Sequence, residues 1–386
     1  MMDFTFTEEQ EMLRDAARSF AETEIAPYAQ EWDKNCAYPE EMIKKLGEQG
    51  FMGILIPEEY SGAGCGYMEF AIILEELARH DGGLALAVEA HNGLACQHIL
   101  IGGNEEQKKK YLPALAAGDQ IGAWCLTEPN SGSDAIAMET TATRDGDDWI
   151  LNGSKQFITN GHRAQTYVVM TVTDPEASPR GITAFVVERD TPGLSTGKKE
   201  EKMGMRSSDT VVVSLDNVRV PDAQRLNDVN KGFDDVKKVL EHGRVMISAL
   251  CQGLTRGALE VAAQYAQERV AFGKPIARFQ SIQNKLADLA VGYEAGNLLL
   301  YRSASMLDQG TCSIKQAAMC KLFISENTTK SCLEAIQVLG GYGYLAEYNV
   351  ERFLRDAKLC EIGEGTSEVM RILIAKHIDP ANPAAS

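Results

Sequence analysis

One carboxylate near the C-terminus stands on a loop that has glycine on both sides. In the segment EIGEGTSE, Gly363 and Gly365 flank Glu364, and glycines let the backbone approach a ligand closely and leave the carboxylate reachable. Thr366 or Ser367 is placed to cap a following helix. The dipole of that helix lowers the pKa of Glu364, whereas burial under an apolar substrate raises it. Glu364 is therefore a candidate general base, although in isolation a solvated glutamate at a helix end is the commoner case.

A second segment has the composition of a polar ligand site. The sequence LTEPNSGSD, from Leu126 to Asp134, is dense in hydroxyl groups and turn-forming residues, which suits a loop that offers N–H and O–H donors. By composition alone, an ordinary turn is the simpler explanation. The segment lies where a helical region gives way to β-type sequence.

Motifs of several other enzyme classes are missing. The glycines of SGAGCGY, from Ser61 to Tyr67, do not have the G-x-G-x-x-G spacing, which disfavours a Rossmann dehydrogenase. The P-loop, G-x-S-x-G and H-E-x-x-H patterns are also absent. The nine cysteines are scattered without a C-x-x-C pair. We therefore expect neither a disulfide framework nor a metal site, and the reducing cytoplasm is the expected compartment.

The charge balance excludes one class of partner. The 386 residues carry 38 Lys and Arg against 55 Asp and Glu, a formal net charge of −17. Such a field repels nucleic-acid phosphates, and the densest cationic cluster, Lys108–Lys110, is short. No stretch reaches the roughly 20 apolar residues of a membrane span. The N-terminal sequence MMDFTFTEEQ lacks a cationic leader, so we interpret it as a mature start.

The elements that must position these residues follow from periodicity. Thr7 to Gln10 match a capping box, and apolar positions of helical spacing follow up to Pro27. Further helices are predicted at 40–50, 67–80, 83–101, 104–117, 233–268, 281–308 and 313–339. Short β-branched or aromatic runs separated by turn signals predict strands at 149–151, 167–172, 182–187 and 211–220. The chain is thus predicted to be an α+β multidomain protein, with an all-helical domain at 1–121, a middle antiparallel, barrel-like β domain at 122–230 and a C-terminal helical bundle at 231–386.

Five segments in this order resemble the acyl-CoA dehydrogenase family of flavoproteins, over nearly the whole chain. LTEPNSGSD and SKQFITNG (Ser154–Gly161) are similar to its two middle-domain signatures. YAQERVAFG (Tyr265–Gly273) resembles its dimer-contact flavin segment, QVLGG (Gln337–Gly341) its Q-x-x-G-G flavin site, and IGEGTSE its catalytic loop. The resemblance implies a C-terminal four-helix bundle, non-covalent FAD, and a homotetramer built as a dimer of dimers in which each flavin touches a neighbouring subunit.

The resemblance also implies which residues form the site. Thr127 is expected at the isoalloxazine edge, and Arg269 near the phosphates, which its planar fork suits. Many members have Trp where this chain has Phe157, so the aromatic wall is kept without its N–H. The expected FAD contacts are Trp124, Leu126, Thr127, Gly132, Ser133, Phe157, Ile158, Thr159, Arg269, Phe272, Gln280, Gln337, Val338, Gly340, Gly341, Thr366, Ser367 and Glu368. The expected contacts to CoA or its thioester are Ser133, Glu241, Gly243, Arg244 and Gly365.

The chemistry that the resemblance implies is α,β-dehydrogenation of an acyl-CoA thioester, as in fatty acid β-oxidation. Glu364 would remove the α-proton while the β-hydride goes to flavin N5, which gives a trans-2-enoyl-CoA, and electrons would pass to electron-transferring flavoprotein. Family members stabilise the enolate oxygen with the backbone N–H of the base residue and a ribityl hydroxyl. In some branches the base directly precedes the residue that matches Arg244; here that position is Gly243. Glu364 is therefore the expected base, and Glu241 the runner-up.

The substrate is expected to be a short- to medium-chain or branched acyl-CoA. Small residues at 82–87 permit a deep pocket, but Glu89 and His91 add polarity to this helix. A partly exposed helix face explains them, and a polar or branched acyl group is the alternative. Residues 80–107 contain no Lys or Arg for a distal carboxylate, which disfavours glutaryl-CoA. Two other functions stay open: an oxygen-dependent acyl-CoA oxidase or related flavin oxidase, and a non-catalytic scaffold that binds flavin or CoA.

Overall fold

The computed structural model describes residues 5–177 and 181–378; the first four residues, on which part of the predicted N-terminal start rests, lie outside them. Helix α1 (Glu8–Phe20) begins at the predicted capping box: Thr7 and Gln10 each accept a hydrogen bond from the backbone N–H of the other. The described part of the N-terminal region is helical, as predicted. The further α-helices are α2 (Ala29–Asn35), α3 (Glu40–Glu48), α4 (Tyr67–Ala78), α5 (Gly82–Glu89), α6 (Gln97–Gly102) and α7 (Glu105–Ala116).

The single helix predicted at 83–101 is interrupted. Between α5 and α6 the backbone forms a π-helical segment, Ala90–Cys96, a rare geometry that is frequent at functional sites. Its polar side chains bond outward to another segment: Asn92 Nδ2 lies 3.0 Å from Phe51 O, and His91 Nε2 lies 3.0 Å from Met52 O. The α5–α6 region is therefore anchored inside the molecule and is not a simple surface helix.

The middle region is one eight-stranded sheet in the order β6-β7-β3-β2-β4-β5-β8, with β1 added beside β4. Most pairs are antiparallel, as predicted, but β1–β4 and β2–β4 are parallel. The predicted barrel-like closure is wrong for the described residues, because the terminal strands β6 and β8 do not pair with each other and are only 3 and 2 residues long. The strands are β1 (Gly122–Cys125), β2 (Thr141–Asp145), β3 (Asp148–Thr159), β4 (Thr166–Val172), β5 (Ile182–Glu188), β6 (Leu194–Thr196), β7 (Thr210–Pro221) and β8 (Arg225–Leu226).

The C-terminal region is the predicted helical bundle. Helices α8 and α10 pack against each other and each packs against both α9 and α11, and α8 also packs against α4. Because α8 has neighbours on every side, its residues 243–255 are buried without interruption. The elements are α8 (Gly232–Glu268), the two-stranded hairpin β9 (Val270–Ala271) and β10 (Lys274–Pro275), α9 (Gln280–Asp308), α10 (Ile314–Leu339), α11 (Val350–Cys360) and α12 (Ser367–Lys376).

The nine cysteines, all within the described residues, are free. Among the described helices, none combines the length and the apolar character that crossing a bilayer requires.

Candidate active site

The loop between α11 and α12 carries Glu364 in a strained conformation. Glu364 has φ +56° and Gly365 has φ +102°, and a non-glycine residue in the left-handed region persists only where its surroundings impose it. Thr366 caps α12 as predicted, because its hydroxyl accepts a hydrogen bond from Val369 N at 3.3 Å. The loop is therefore held at its C-terminal side by a cap.

Two buried cations hold the same loop by its backbone. Arg244 Nε, from α8, donates to Glu364 O at 3.3 Å, and Lys321 Nζ, from α10, donates to Gly365 O at 2.6 Å. Arg244 is 8% exposed and Lys321 is 1% exposed, and burial lowers the pKa of both groups. Arg244 was predicted at the thioester; Lys321 was missed. The available signal was a lone lysine between the buried positions Cys320 and Ile324 of an apolar helix.

The Glu364 carboxyl group points into a space that a glycine keeps open. A Cβ atom added at Gly243 would lie 2.4 Å from Glu364 Oε2, so a side chain at position 243 and the side chain of Glu364 compete for one volume. Although the Glu364 residue as a whole is partly accessible, its Oε2 atom is buried and receives no hydrogen bond from a donor group. This arrangement supports Glu364 as the base of this chain.

The partner of Glu364 is a second carboxyl group, that of Glu89. Burial raises the pKa of Glu89 well above its usual range, and the neighbouring Glu364 raises it further. Burial also raises the pKa of Glu364, to about 7, against the opposing effects of Glu89, Lys321 and Arg244. A base with a pKa near neutrality suits proton abstraction at physiological pH.

The prediction that Glu89 and His91 form a partly exposed helix face is wrong, because both residues are 0% exposed. His91 has a structural role: its Nδ1 accepts from Gly122 N at 3.0 Å, and burial lowers its pKa to about 4, so the ring is neutral. The small residues of α5 do not all deepen a pocket either. A Cβ atom at Gly83 would lie 2.1 Å from Ser207 Oγ, so this glycine is needed for packing.

A buried ion pair joins the two middle-domain segments. Lys155 Nζ donates to Glu128 Oε1 at 2.6 Å and to Leu126 O at 3.3 Å. Gln156 N also donates to Thr127 O at 2.8 Å. Glu128 and Lys155 were not predicted as individual residues, although both lie inside the two segments identified from the sequence. The pair places Thr127 beside the strand that carries Phe157.

Around this ion pair, the predicted flavin contacts differ in accessibility. Phe157 is 65% exposed with φ +59°, and a register shift in β3 between Lys155 and Ile158 accompanies it. Trp124 Nε1 donates to His98 Nδ1 at 2.9 Å. The side chains of Leu126 and Ile158 are buried, and their carbonyl groups accept hydrogen bonds from Lys155 Nζ and Gly161 N. Thr127 and Thr159 are half-buried, whereas Gly132 and Ser133 are exposed.

A second group of predicted contacts lines a separate cavity of about 380 Å³. It brings together Arg269, Val338 and Gly341, and the Arg269 guanidinium lies 5.4 Å from the ring centre of Tyr342. None of Trp124, Thr127, Phe157 or Glu364 lines this cavity. The remaining predicted contacts of this group, Phe272, Gln280, Gln337 and Gly340, are exposed.

The residues present fit a flavin dinucleotide. An added Cβ atom at Gly340 or Gly341 would meet nothing within 4 Å, so the backbone is open to a close ligand. Ser367 Oγ is buried without a hydrogen-bond partner, whereas Glu368 is exposed.

Glu241, the alternative base, is half-buried, and burial raises its pKa. In the described parts of the chain, no cluster of three or more His, Cys, Asp or Glu side chains is arranged to hold a metal ion.

Three family models match: acyl-CoA dehydrogenase N-terminal domain at residues 7–119, middle domain at 123–218 and C-terminal domain at 230–378. An acyl-CoA dehydrogenase of Bacillus subtilis is 44% identical over 96% of this chain and 98% of its own length.

Two solved structures are similar over nearly the whole chain. Butyryl-CoA dehydrogenase from Megasphaera elsdenii has a TM-score of 0.95 at 39% identity, over 97% of this chain and 99% of that chain. The second is a chain from work on the electron transferring flavoprotein of Acidaminococcus fermentans and flavin-based electron bifurcation. It has a TM-score of 0.96 at 42% identity, over 97% of this chain and 99% of that chain.

Proposed function

The chain belongs to the acyl-CoA dehydrogenase family, and on that premise we propose that Glu364 is the base with which it oxidises a short- to medium-chain or branched acyl-CoA to the trans-2-enoyl-CoA. As a member of this family it is an FAD-dependent oxidoreductase. The observation that carries the assignment of the base is the buried Glu364 carboxyl, whose pKa is raised to about 7, on a loop that Arg244 and Lys321 hold by its backbone.

The residues of this chain perform the steps around the proton. Arg244 and Lys321 fix the carbonyl groups of Glu364 and Gly365, so the carboxylate is positioned before substrate binds. Glu364 takes the α-proton on a carboxylate oxygen, and closing the site under the acyl chain excludes water from that oxygen. FAD, when bound, supplies the acceptor for the β-hydrogen, which leaves with its electron pair.

Two sets of residues are proposed to hold the cofactor. Trp124, Thr127 and Phe157 would line the ring system, and Arg269 with Gly340 and Gly341 would meet the phosphate and adenosine end. These sets line separate places of one chain, which supports a flavin shared between subunits. The proposed CoA and thioester contacts remain Ser133, Glu241, Gly243, Arg244 and Gly365.

A homotetramer is the proposed assembly. Large apolar side chains on α9 and α10 are exposed in the single chain: Val291, Leu298, Phe323 and Leu333. Exposed apolar surface of this kind marks protein contacts. Light scattering coupled to size exclusion tests the proposal, and a monomer that binds FAD fully would contradict it.

Electron-transferring flavoprotein is the proposed acceptor, since the similar chain in the A. fermentans structure comes from work on that protein. The cytoplasm is the proposed compartment.

The proposed domain boundaries lie between residues 121 and 122 and between residues 230 and 231. They are supported by the change from helix to strand at Gly122 and back to helix at Gly232.

The deciding experiment is anaerobic stopped-flow flavin reduction with C4, C8, branched and glutaryl acyl-CoA. We expect the C4 or C8 substrate to reduce the flavin fastest, and the similarity to a butyryl-CoA dehydrogenase supports the shorter one. Preferential reduction by glutaryl-CoA would contradict the proposal. Peroxide formation without added acceptor would instead indicate an oxidase.

A further inference from the structure

We propose that Glu89 is a positioning residue for the base: its protonated carboxyl donates a hydrogen bond to the Glu364 carboxylate and orients it for the substrate. The inference rests on the proposed function and adds a second carboxyl to the site. Glu89 lies at the junction of α5 with the π-helical segment. It therefore comes from a different element than Glu364, on the loop between α11 and α12, and than the two cations, on α8 and α10.

The polar residues at this junction fall into two groups. His91 and Asn92 bond to backbone groups and have structural roles. Glu89 is 0% exposed, and neither of its oxygens has a protein donor. A fully buried carboxyl without a donor is costly unless it is neutral or meets a functional group.

The space around the two carboxyl groups is kept open by two glycines. A Cβ atom at Gly93 would lie 2.7 Å from Glu89 Oε1, and one at Gly243 would lie 2.4 Å from Glu364 Oε2. One glycine belongs to the π-helical segment and the other to α8. The two spaces adjoin, because Leu94, the residue after Gly93, has its Cδ2 atom 2.9 Å from the same Cβ position at Gly243.

The charged groups facing the pair are distributed unequally. Glu364 faces Lys321 of α10 and Arg244 of α8 as well as Glu89. Glu89 faces Glu364 and the Cys360 thiol of α11, and that thiol is neutral because its own pKa lies well above the usual range. The cations thus favour ionisation of Glu364 and not of Glu89.

Two neighbouring buried carboxyl groups resist ionising together, because their like charges repel, and both cations face Glu364 while none of the described residues places a cation at Glu89. The shared proton therefore belongs on Glu89, whose O–H becomes the missing donor for Glu364. This hydrogen bond stabilises ionised Glu364 against burial and restricts rotation of its carboxylate. When Glu364 accepts the α-proton, both carboxyls are neutral.

The experiment compares Glu89→Gln with Glu89→Leu in the FAD-loaded enzyme. Gln keeps a donor at the same place, and Leu removes it. The readout is the pH profile of anaerobic flavin reduction by butyryl-CoA. We expect E89Q to keep the acid limb of the wild type, and E89L to shift it upward by about 1–2 pH units, the worth of a hydrogen bond to a charged group.

Three results would overturn the inference. One is an unshifted acid limb and rate in E89L that folds and binds FAD, and another is a shift in E89Q equal to that of E89L. The third is a downward shift in E89Q, which would mean that Glu89 is ionised. Glu75→Gln is the matched control, because Glu75 is a buried glutamate that accepts from Tyr293 and Tyr301 and lies outside the site; its acid limb should match the wild type.

A second measurement does not depend on activity or on the stability of E89L. The infrared difference spectrum between wild type and E89Q at pH 8 should show the loss of one protonated carboxyl band, and absence of that loss would contradict the inference. Failure here is distinguishable from failure of the proposed function. If E364Q abolishes flavin reduction while E89L behaves as the wild type, the positioning role of Glu89 is contradicted and the assignment of Glu364 as the base still holds.

Discussion

Two buried pairs of side chains, both built on a glutamate, show opposite behaviour. In the middle region, Glu128 meets Lys155 and accepts two further backbone N–H groups, at 2.5 and 3.0 Å. Burial alone would raise the pKa of Glu128, but the ion pair outweighs it, so the pKa lies below the usual value. In the catalytic region, Glu364 meets Glu89, and burial raises the pKa of both.

The difference in pKa distinguishes a pair that stabilises the fold from a pair that takes part in the reaction. The Glu128–Lys155 pair satisfies its own polar groups and ties two chain segments together. The Glu89–Glu364 pair leaves buried carboxyl oxygens without donor groups, a cost that functional sites retain.

The largest expected effect is on chemistry alone. Glu364→Gln should lower the rate of anaerobic flavin reduction by acyl-CoA by about 10²–10⁴-fold, the usual contribution of a general base. The thermal unfolding midpoint and FAD absorbance should stay near those of the wild type. Reduction at the wild-type rate would remove Glu364 from the role of base.

The scaffold pair should show the reverse pattern, a loss of stability. Lys155→Met leaves the Glu128 carboxylate buried and unpaired, which costs about 3–5 kcal/mol in the free energy of unfolding. The double change Lys155→Met with Glu128→Gln should be less destabilising, because no lone charge remains. Arg219→Met is the control: its ion pairs with Asp145 and Asp148 are exposed and contribute about 0–1 kcal/mol.

Lys321 combines features of both pairs: it is buried, like Lys155, but it holds the loop that carries Glu364. Lys321→Met removes the hydrogen bond to Gly365 O, and a bond of this charged type is worth about 1.5–3 kcal/mol. We expect about 10–100-fold slower flavin reduction, measured by stopped flow. Lys358→Met, which removes a surface ion pair with Glu361, should leave the rate unchanged; equal loss in both variants would argue against a specific role.

The smallest expected effect is the pH dependence of the wild type. Because the base must be ionised and its pKa is raised to about 7, the rate of flavin reduction should fall as pH decreases through 7. The fall should approach about tenfold per pH unit in the acid limb. A rate that is flat from pH 8 to 5.5 would show that Glu364 keeps the ordinary acidity of a solvated carboxylate.

Several local features were predictable to within a few residues, whereas the strand predicted at 149–151 is observed as Asp148–Thr159. The capping box at Thr7 and Gln10 has the geometry that its sequence predicts, and the helix predicted at 281–308 is observed as Gln280–Asp308. The π-helical segment and the parallel β1–β4 pair were not predicted, because both depend on contacts with distant segments. Lys321 was missed for the same reason.

The sequence by itself determined the long helices of the C-terminal bundle, four of the strands and the glycine-flanked loop that carries Glu364, because caps, periodicity and glycine freedom depend on residues within a turn or two. Tertiary structure alone decided that Glu89 and His91 are buried, and that one of them meets Glu364 while the other bonds to backbone. Burial on every face of a helix, and the pKa that follows from it, depend on what the rest of the chain places around that helix. A polar residue has the same local pattern whether water or a second carboxyl lies opposite it.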